Sequence, residues 1–247
     1  MCRVLFQWRG IRIYSYPAML YFGLVFGVLG GTRAATLHGL DSGRVYAAML
    51  LLIPPALVGA RLLFVASHWR LFRREPRRIW RRSDGGAALY GGLIASFVLS
   101  LPLLPALGVP VGAFWDAAAV TMLIGMVITK VGCLLNGCCA GRRTEGRFGL
   151  YLPNEHGVWC RRVPAQLMEA GLAVCLLIAS LMAWDRIPFD GGCFLIAVAG
   201  YGLGRWWLES IRESIDGIGA FSLHRMISGV LVTLSMASFA LIWLYRS

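Results

Sequence analysis

Long apolar runs, separated by short polar segments rich in arginine, dominate the pattern along this chain. A helix that crosses a bilayer needs about 20 mostly apolar residues. Runs of sufficient length lie at about 14–31, 46–66, 86–108, 113–136, 163–184, 191–211 and 221–245. The pattern predicts an all-α integral membrane protein in which about seven transmembrane helices form one bundle.

The apolar runs account for most of the chain, so we expect a single transmembrane domain over residues 1–247 and no soluble domain. One polar loop is predicted at about 137–162, between the fourth and fifth runs. The basic amino terminus precedes a full-length apolar run, which is not the arrangement of a cleavable signal peptide.

Proline pairs interrupt two of the runs. Pro54 and Pro55 fall in the second run, and Pro102 and Pro105 fall in the third. Proline frees a backbone carbonyl inside a helix, and in a membrane that carbonyl must be met by a neighbouring helix or by cavity water. We therefore expect kinks at both places.

The composition is that of a membrane protein, and its charge suggests a lipid partner. Of the 247 residues 58% are hydrophobic and 15% charged, and the mean hydropathy is +0.67. The net charge of +12 comes from 23 arginines and one lysine. Because the arginines flank apolar runs, anionic phospholipid is the predicted partner and nucleic acid is not. The segment 70–82, with seven arginines, is typical either of a solvated loop or of an interfacial segment that gathers anionic lipid.

The arginines also bear on orientation. They are more numerous in the amino terminus and in the loops after the second, fourth and sixth runs than on the opposite side. By the positive-inside rule, this distribution places the amino terminus in the cytoplasm.

The stretch 130–141 is the most informative polar segment. It brings Lys130, the only lysine of the chain, together with Asn136, Gly141 and three cysteines at the end of the fourth run. An ionisable group at that depth costs about 3 kcal/mol and normally faces a protein interior or a wet cavity. The stretch is therefore a candidate functional site.

Further polar side chains lie inside other runs. Arg205 and Glu209 are four residues apart in the sixth run, and they can form a structural ion pair or an anion clamp that Glu209 orients. Gln166 and Glu169 are three apart on one face of the fifth run, close to Arg162. These groups predict a wet cavity of net positive charge that binds an anionic headgroup. Its expected lining is Arg61, Lys130, Asn136, Gln166, Glu169, Arg205 and Glu209.

Tyr90 lies between two Gly-Gly pairs at the start of the third run. Gly91 and Gly92 favour either close packing of two helices or the approach of a ligand to the main chain. The phenol of Tyr90 is at the membrane boundary, where tyrosine is also common as an anchor.

The cysteines fall into two groups. Cys175 and Cys193 lie in apolar runs and are expected to be packing residues. The irregular spacing of the others matches a zinc framework poorly, so no metal site and no cofactor are predicted. They are open to redox chemistry or soft-metal binding, and alternatively to a disulfide that staples the polar loop. This second group is Cys133, Cys138, Cys139 and Cys160.

Taken in order, the motifs resemble the bacterial prolipoprotein diacylglyceryl transferase family. The segment 130–137 lies where the family has G-R-x-G-N-F-x-N-G-E, and 162–169 resembles R-x-P-S-Q-L-Y-E. Each segment is a weak match alone, but their order along the chain favours a common fold. The segments that carry the resemblance are 15–17, 59–62, 79–94, 130–137, 162–169 and 201–209.

The resemblance implies a multi-pass protein of the bacterial cytoplasmic (inner) membrane. It implies transfer of diacylglyceryl from phosphatidylglycerol to the cysteine thiol of a lipobox-bearing precursor. Tyr90, Arg205 and Glu209 are then the catalytic candidates. The candidates for substrate binding are Tyr16, Arg61, Gly91, Gly92, Lys130, Asn136, Gly141, Arg162, Gln166 and Glu169. The resemblance also implies an amino terminus outside the cytoplasm, opposite to the indication of the charge distribution, and we keep the family's orientation.

Four positions depart from the family pattern. Tyr90 replaces a histidine, Lys130 an arginine, Cys133 an asparagine and Cys138 a glutamate. A phenol is a weak general base at neutral pH, and lysine cannot form the bidentate hydrogen bonds with which arginine binds a phosphate. The fold therefore transfers more readily than the activity. Two other functions stay open: a thiol-based membrane redox or metal-binding protein, and a non-catalytic lipid-binding protein on the same fold.

Overall fold

The computed structural model describes residues 4–8, 11–73, 79, 89–153, 158–211 and 223–246. Across these residues, eight α-helices, one short 3₁₀ helix (Trp184–Arg186) and two antiparallel hairpins make up the fold. The hairpins are β1 (Val4–Trp8) with β2 (Ile11–Tyr14), and β3 (Leu150–Pro153) with β4 (Trp159–Arg162). The helices are α1 (Ser15–Leu37), α2 (Ser42–Ser67), the single turn α3 (Trp69–Phe72), α4 (Leu89–Ala106), α5 (Val111–Asn136), α6 (Ala165–Ala183), α7 (Gly192–Glu209) and α8 (Leu223–Arg246).

The seven longer helices coincide with the seven apolar runs, which confirms the prediction of an all-α membrane protein. Five helices of the described chain are long and apolar enough to cross a bilayer: α1, α2, α5, α6 and α8. The apolar part of α4 is shorter, and α7 ends in a polar turn. Many large apolar side chains, Phe26 and Leu57 among them, are exposed on the bundle. Such a surface suits contact with lipid, and the chain is a multi-pass membrane protein.

The largest error in the predicted boundaries concerns α1 and α2. Helix α1 continues to Leu37, well past the expected end near residue 31. Helix α2 begins at Ser42 because the Asp41 side chain accepts a hydrogen bond from the Arg44 amide at 2.8 Å. An aspartate at this position caps the first turn of a helix. The end of α1 and the start of α2 therefore include polar residues that lie outside the apolar runs. The four prolines lie within α2 and α4, which continue through them.

Helix α5 is central to the packing and contacts α1 most extensively. A Cβ atom on Gly27 would lie 2.6 Å from the carbonyl oxygen of Thr121, so only glycine allows the two backbones to approach this closely. Gly23 and Gly31 lie one turn to either side on the same face of α1. Small residues at this spacing are a common basis of helix packing in membranes.

A buried carboxylate on α5 fixes the start of α7. Asp116 accepts hydrogen bonds from the backbone amides of Gly191 at 2.7 Å and Phe194 at 2.8 Å. Amides in the first turn of a helix have no partner within the helix. Asp116 therefore acts as a cap supplied by a neighbouring helix.

The polar loop predicted at 137–162 does separate α5 from α6, and it contains the β3–β4 hairpin. Its ends are bound to the bundle through the backbone. The Gly141 amide donates to the Val163 carbonyl at 2.8 Å, and the Arg142 amide donates to the Ile211 carbonyl at 2.8 Å. The loop is therefore fixed between the start of α6 and the end of α7.

Candidate active site

The predicted site residues gather at one end of the bundle, the end at which α1 starts. Tyr16, Tyr90 and Gln166 lie in the first turns of α1, α4 and α6. Lys130 lies two turns before the end of α5, and Glu209 is the last residue of α7. Because successive spans alternate in direction, the starts of the first, third, fifth and seventh spans lie on the same side of the membrane as the ends of the second, fourth and sixth. Here they converge on the membrane boundary next to the polar loop.

Glu169 is the centre of the site. Its side chain is 1% exposed and forms ion pairs with both Lys130 and Arg205, the second at 2.8 Å between Oε1 and Nη1. A carboxylate this deeply buried requires such partners, since an unpaired charge in a low-dielectric interior costs several kcal/mol. Three helices, α5, α6 and α7, are thus joined by one carboxylate.

Arg205 forms ion pairs through both terminal nitrogen atoms of its guanidinium group. Besides Glu169, it contacts Glu209 through Nη2 at 3.0 Å, the pair that its four-residue spacing predicts. Lys130 and Arg205 balance the two carboxylates in charge. These four groups are therefore neutral together, and the net positive charge predicted for the cavity, whose lining also includes Arg61, stays a prediction. Sequence spacing did not place Glu169 between the two cations. An anion that binds here must compete with carboxylates.

Gln166 and Arg162 hold the polar loop against the site. Gln166 is 1% exposed, and its Nε2 donates a hydrogen bond to the Cys138 carbonyl at 2.6 Å. Arg162 is fully buried and donates from Nη1 to the Gly141 carbonyl at 3.4 Å. The prediction that Gln166 and Glu169 share a buried face is confirmed. In the described contacts both Gln166 and Arg162 donate to backbone carbonyls of the polar loop, and these contacts hold the loop in place.

Tyr90 is 5% exposed, and its hydroxyl lies 2.6 Å from the Ser228 hydroxyl on α8. The charges of Arg205, Glu209 and Glu169 are close enough to act on the phenol. Tyr90 is thus part of the site and not a lipid-facing anchor. Ser228 was missed by the sequence analysis, because one small polar residue in an apolar run gives almost no signal.

Two sets of predicted binding residues make contacts elsewhere. Gly91 packs against the backbone of Gly59 in α2, where any side chain would overlap the Gly59 carbonyl, and Gly92 faces Ala56. The close-packing interpretation of the glycines is therefore the one their contacts support. The Nε of Arg61 donates to the Ile79 carbonyl at 2.7 Å. Its guanidinium also lies over the rings of Phe64 and Phe72, at 5.6 and 5.5 Å. None of these three contacts involves Lys130, Glu169, Arg205 or Glu209.

Comparison with known proteins shows the family of the chain. A family model described as prolipoprotein diacylglyceryl transferase matches residues 3–245. The chain belongs to this family. A relative from Lactiplantibacillus plantarum is 29% identical in a gapped alignment that covers 94% of this chain and 86% of the relative. One from Enterococcus faecalis is 28% identical in an alignment that covers 98% of this chain and 90% of the relative. Both are named phosphatidylglycerol–prolipoprotein diacylglyceryl transferase.

Within this member of the prolipoprotein diacylglyceryl transferase family, the cysteines lie beside the site. The sulfur atoms of Cys133, Cys138 and Cys139 all lie within 4.8 Å of one another, whereas Cys160 is not part of this group. No disulfide joins Cys139 and Cys160, both of which the structure describes, so the disulfide considered for the loop is not formed. Tyr16 lies close to the group of three, because the thiols of Cys133, Cys138 and Cys139 act electrostatically on its phenol.

The environment of Cys138 disfavours a reactive thiolate. Hydrogen bonding with Cys133 acts to lower its pKa, but hydrogen bonding with Cys139 and burial outweigh that effect, and the pKa of Cys138 is raised. The side chain of Asn136 also acts to lower the pKa of this thiol, which links a predicted headgroup contact to the cysteine group. The raised pKa keeps the thiol protonated at neutral pH, whereas a redox-active cysteine normally has a lowered pKa.

The remaining cysteines differ from each other. Cys193 is buried, and its thiol lies 3.4 Å from the Ser180 carbonyl, as expected of a packing residue. Cys175 is exposed, so the expectation that it packs inside the bundle is wrong. It faces outward because α6 buries the opposite side, which carries Gln166 and Glu169.

Proposed function

We propose that this protein transfers the diacylglyceryl group of phosphatidylglycerol to the thiol of a lipobox cysteine in a precursor protein. The supporting observation is the ion-pair group of Lys130, Glu169, Arg205 and Glu209 at the membrane boundary, in a chain whose relatives carry the name of this activity. A bacterial inner membrane is the corresponding location, because both substrates are found there.

The reaction forms one covalent bond and breaks another. The sulfur of the acceptor forms a bond to the glyceryl carbon while the bond from that carbon to the phosphate oxygen breaks. The pair of electrons leaves with glycerol phosphate, and the thiol proton passes to a base. Charge therefore develops on the phosphate, and the protein must stabilise it with cations held in place beforehand.

Arg205 and Lys130 are the groups suited to that task. Arginine offers a planar pair of donors that matches two phosphate oxygens, and lysine adds a point charge. In the described state Glu169 holds both cations within one small volume. We infer that the phosphate takes over part of these interactions from Glu169, while Glu209 keeps the guanidinium oriented through its contact at 3.0 Å.

Tyr90 is our candidate for the group that handles the proton. Its hydroxyl shares a hydrogen bond with Ser228, and it is within reach of the charges around Arg205. A phenol next to a guanidinium can pass on a proton in the transition state even when it is not ionised beforehand. Glu145, an alternative base in the loop, is exposed, and His156, the other alternative, lies outside the described residues.

A transfer assay tests this proposal. Purified protein in detergent is given phosphatidylglycerol and a lipobox peptide, and the peptide is analysed by mass spectrometry. We expect a diacylglyceryl peptide from the wild type and none from Arg205→Ala. Arg147→Ala is the matched control, because Arg147 is exposed in the polar loop. A folded wild type that binds phosphatidylglycerol but forms no product contradicts the transferase assignment and favours a lipid-binding function.

A further inference from the structure

The thiol group defined by Cys133, Cys138 and Cys139 is not used by the proposed transfer reaction. It lies where α5 meets the polar loop, with Cys133 buried and the other two half-buried. The three sulfur atoms all lie within 4.8 Å of one another. A metal ion with bonds of about 2.3 Å to each of three sulfur atoms holds them about 4 Å apart, which is close to this spacing.

The end of α5 is built in a way that brings two of the thiols together. Gly137 adopts a left-handed conformation, with φ of 74°. The Cys138 amide donates to the Cys133 carbonyl at 3.1 Å, and the Gly137 amide donates to the Leu134 carbonyl at 3.2 Å. This pattern is a Schellman motif, in which the residue after the left-handed glycine packs on the residue five positions before it. Those two residues are Cys138 and Cys133.

The third thiol is held by a second unusual turn. Cys139 has a φ of 62°, the only positive φ of a residue other than glycine in the described chain. A residue with a Cβ pays about 1 kcal/mol or more for this conformation, and such costs persist mainly at functional positions. Gln166 fixes the same turn through its 2.6 Å hydrogen bond to the Cys138 carbonyl. The three thiols are therefore preorganised by the fold.

We propose that Cys133, Cys138 and Cys139 together bind one soft metal ion, Cu(I). The donors are three sulfur atoms, and within the described residues no carboxylate or imidazole joins the group. Thiolates select soft ions such as Cu(I), and hard ions such as Mg²⁺ select oxygen. Zinc prefers four ligands, whereas three sulfur atoms suffice for Cu(I). Each thiol that becomes a ligand releases its proton to solvent.

The sharpest test uses Cys139→Gly, which removes one sulfur atom and places glycine where the backbone favours it. The intact protein in detergent, reduced and without oxygen, is titrated with Cu(I) against a chromophoric Cu(I) chelator. We expect one Cu(I) per chain for the wild type. For Cys139→Gly we expect an affinity lower by about 100-fold or more, since even partners of the ligands contribute 10–100-fold.

Two further cysteines serve as controls. Cys160→Ser and Cys175→Ser remove thiols outside the group and should bind Cu(I) as the wild type does. Cys138→Ser is a second ligand variant and should lose binding as Cys139→Gly does, with a thermal midpoint near that of the wild type. X-ray absorption of the Cu(I) form should show three sulfur neighbours.

Three results overturn the proposal. The first is a wild type that takes up no more Cu(I) than Cys139→Gly. The second is an equal loss of Cu(I) in the Cys160→Ser or Cys175→Ser control. The third is retention of Zn²⁺ but not Cu(I), which contradicts the assigned class of ion. None of these readouts depends on transferase activity, so the proposal stands or falls separately from the proposed function.

Discussion

Glu169 is the residue on which the site depends most. With 1% of its side chain exposed, it holds Lys130 and Arg205 together across two helix interfaces. The same pairing neutralises the two cations expected to bind phosphate. In the mechanism that we propose, the Glu169 carboxylate stabilises the two cations before the substrate binds, and the phosphate then takes over part of that stabilisation.

At this scale we predict that Glu169→Gln destabilises the protein. The change removes the buried charge that pairs with the half-buried Lys130 and with Arg205, which costs about 3 kcal/mol. The thermal midpoint in detergent should fall clearly. Glu145→Gln, at an exposed carboxylate in the loop, should leave the midpoint unchanged. Equal midpoints for the two variants would show that the buried pairs contribute nothing to stability.

Tyr90→Phe tests the hydroxyl group of Tyr90 and keeps its ring. We expect the rate of diacylglyceryl transfer to fall by about 100-fold, the lower range for loss of a group that transfers a proton. The thermal midpoint should fall modestly, because the buried Ser228 hydroxyl loses its hydrogen bond to Tyr90, at a cost of about 1–3 kcal/mol. Tyr46→Phe is the control, since Tyr46 is exposed on α2. A Tyr90→Phe variant as active as the Tyr46→Phe control would make Tyr90 a lining residue only.

At the scale of elements, contacts between helices decide where the site lies. Helix α1 approaches α5 through a row of glycines, and Asp116 of α5 caps the start of α7. Both contacts involve α5, the helix that also carries Lys130 and Cys133. The position of the site residues therefore follows from how α5 is held by its neighbours.

Gly27→Ala tests the close approach of α1 to α5. The added Cβ would lie 2.6 Å from the Thr121 carbonyl oxygen, and relieving that overlap costs about 1–3 kcal/mol. Gly171→Ala is the matched control, because no atom lies within 4 Å of its added Cβ and alanine favours a helix. We expect a lower thermal midpoint for Gly27→Ala and an unchanged or slightly higher one for Gly171→Ala. The reverse order would contradict the packing described for α1.

At the scale of the whole molecule, the open question is which side of the membrane the site faces. The site lies at the end of the bundle where α1 and α8 start, on the side with most of the arginines. Some of these arginines are part of the fold: Arg162 is fully buried, and Arg161 donates to the Gly149 and Gly146 carbonyls. Such residues are not free charges that set topology, which weakens the argument for a cytoplasmic amino terminus.

We therefore predict that the amino terminus and the site face away from the cytoplasm, as transfer to a secreted precursor requires. With seven spans, the carboxyl end of α8 then lies in the cytoplasm. Green fluorescent protein fused after residue 247 should be fluorescent, because it folds in the cytoplasm, and alkaline phosphatase at the same place should be inactive. Active phosphatase at this position would reverse the orientation and speak against the proposed acceptor.

The sequence by itself determined the membrane class, the seven long helices and the pairs Arg205–Glu209 and Gln166–Glu169. These depend on the thickness of a bilayer and on the period of a helix, which act locally along the chain. Only the tertiary structure placed Glu169 between Lys130 and Arg205, joined Tyr90 to Ser228, and separated Cys160 from the other three thiols. Helices in lipid are matched by close steric fit and by polar contacts between distant segments, and neither is encoded in a run of apolar residues.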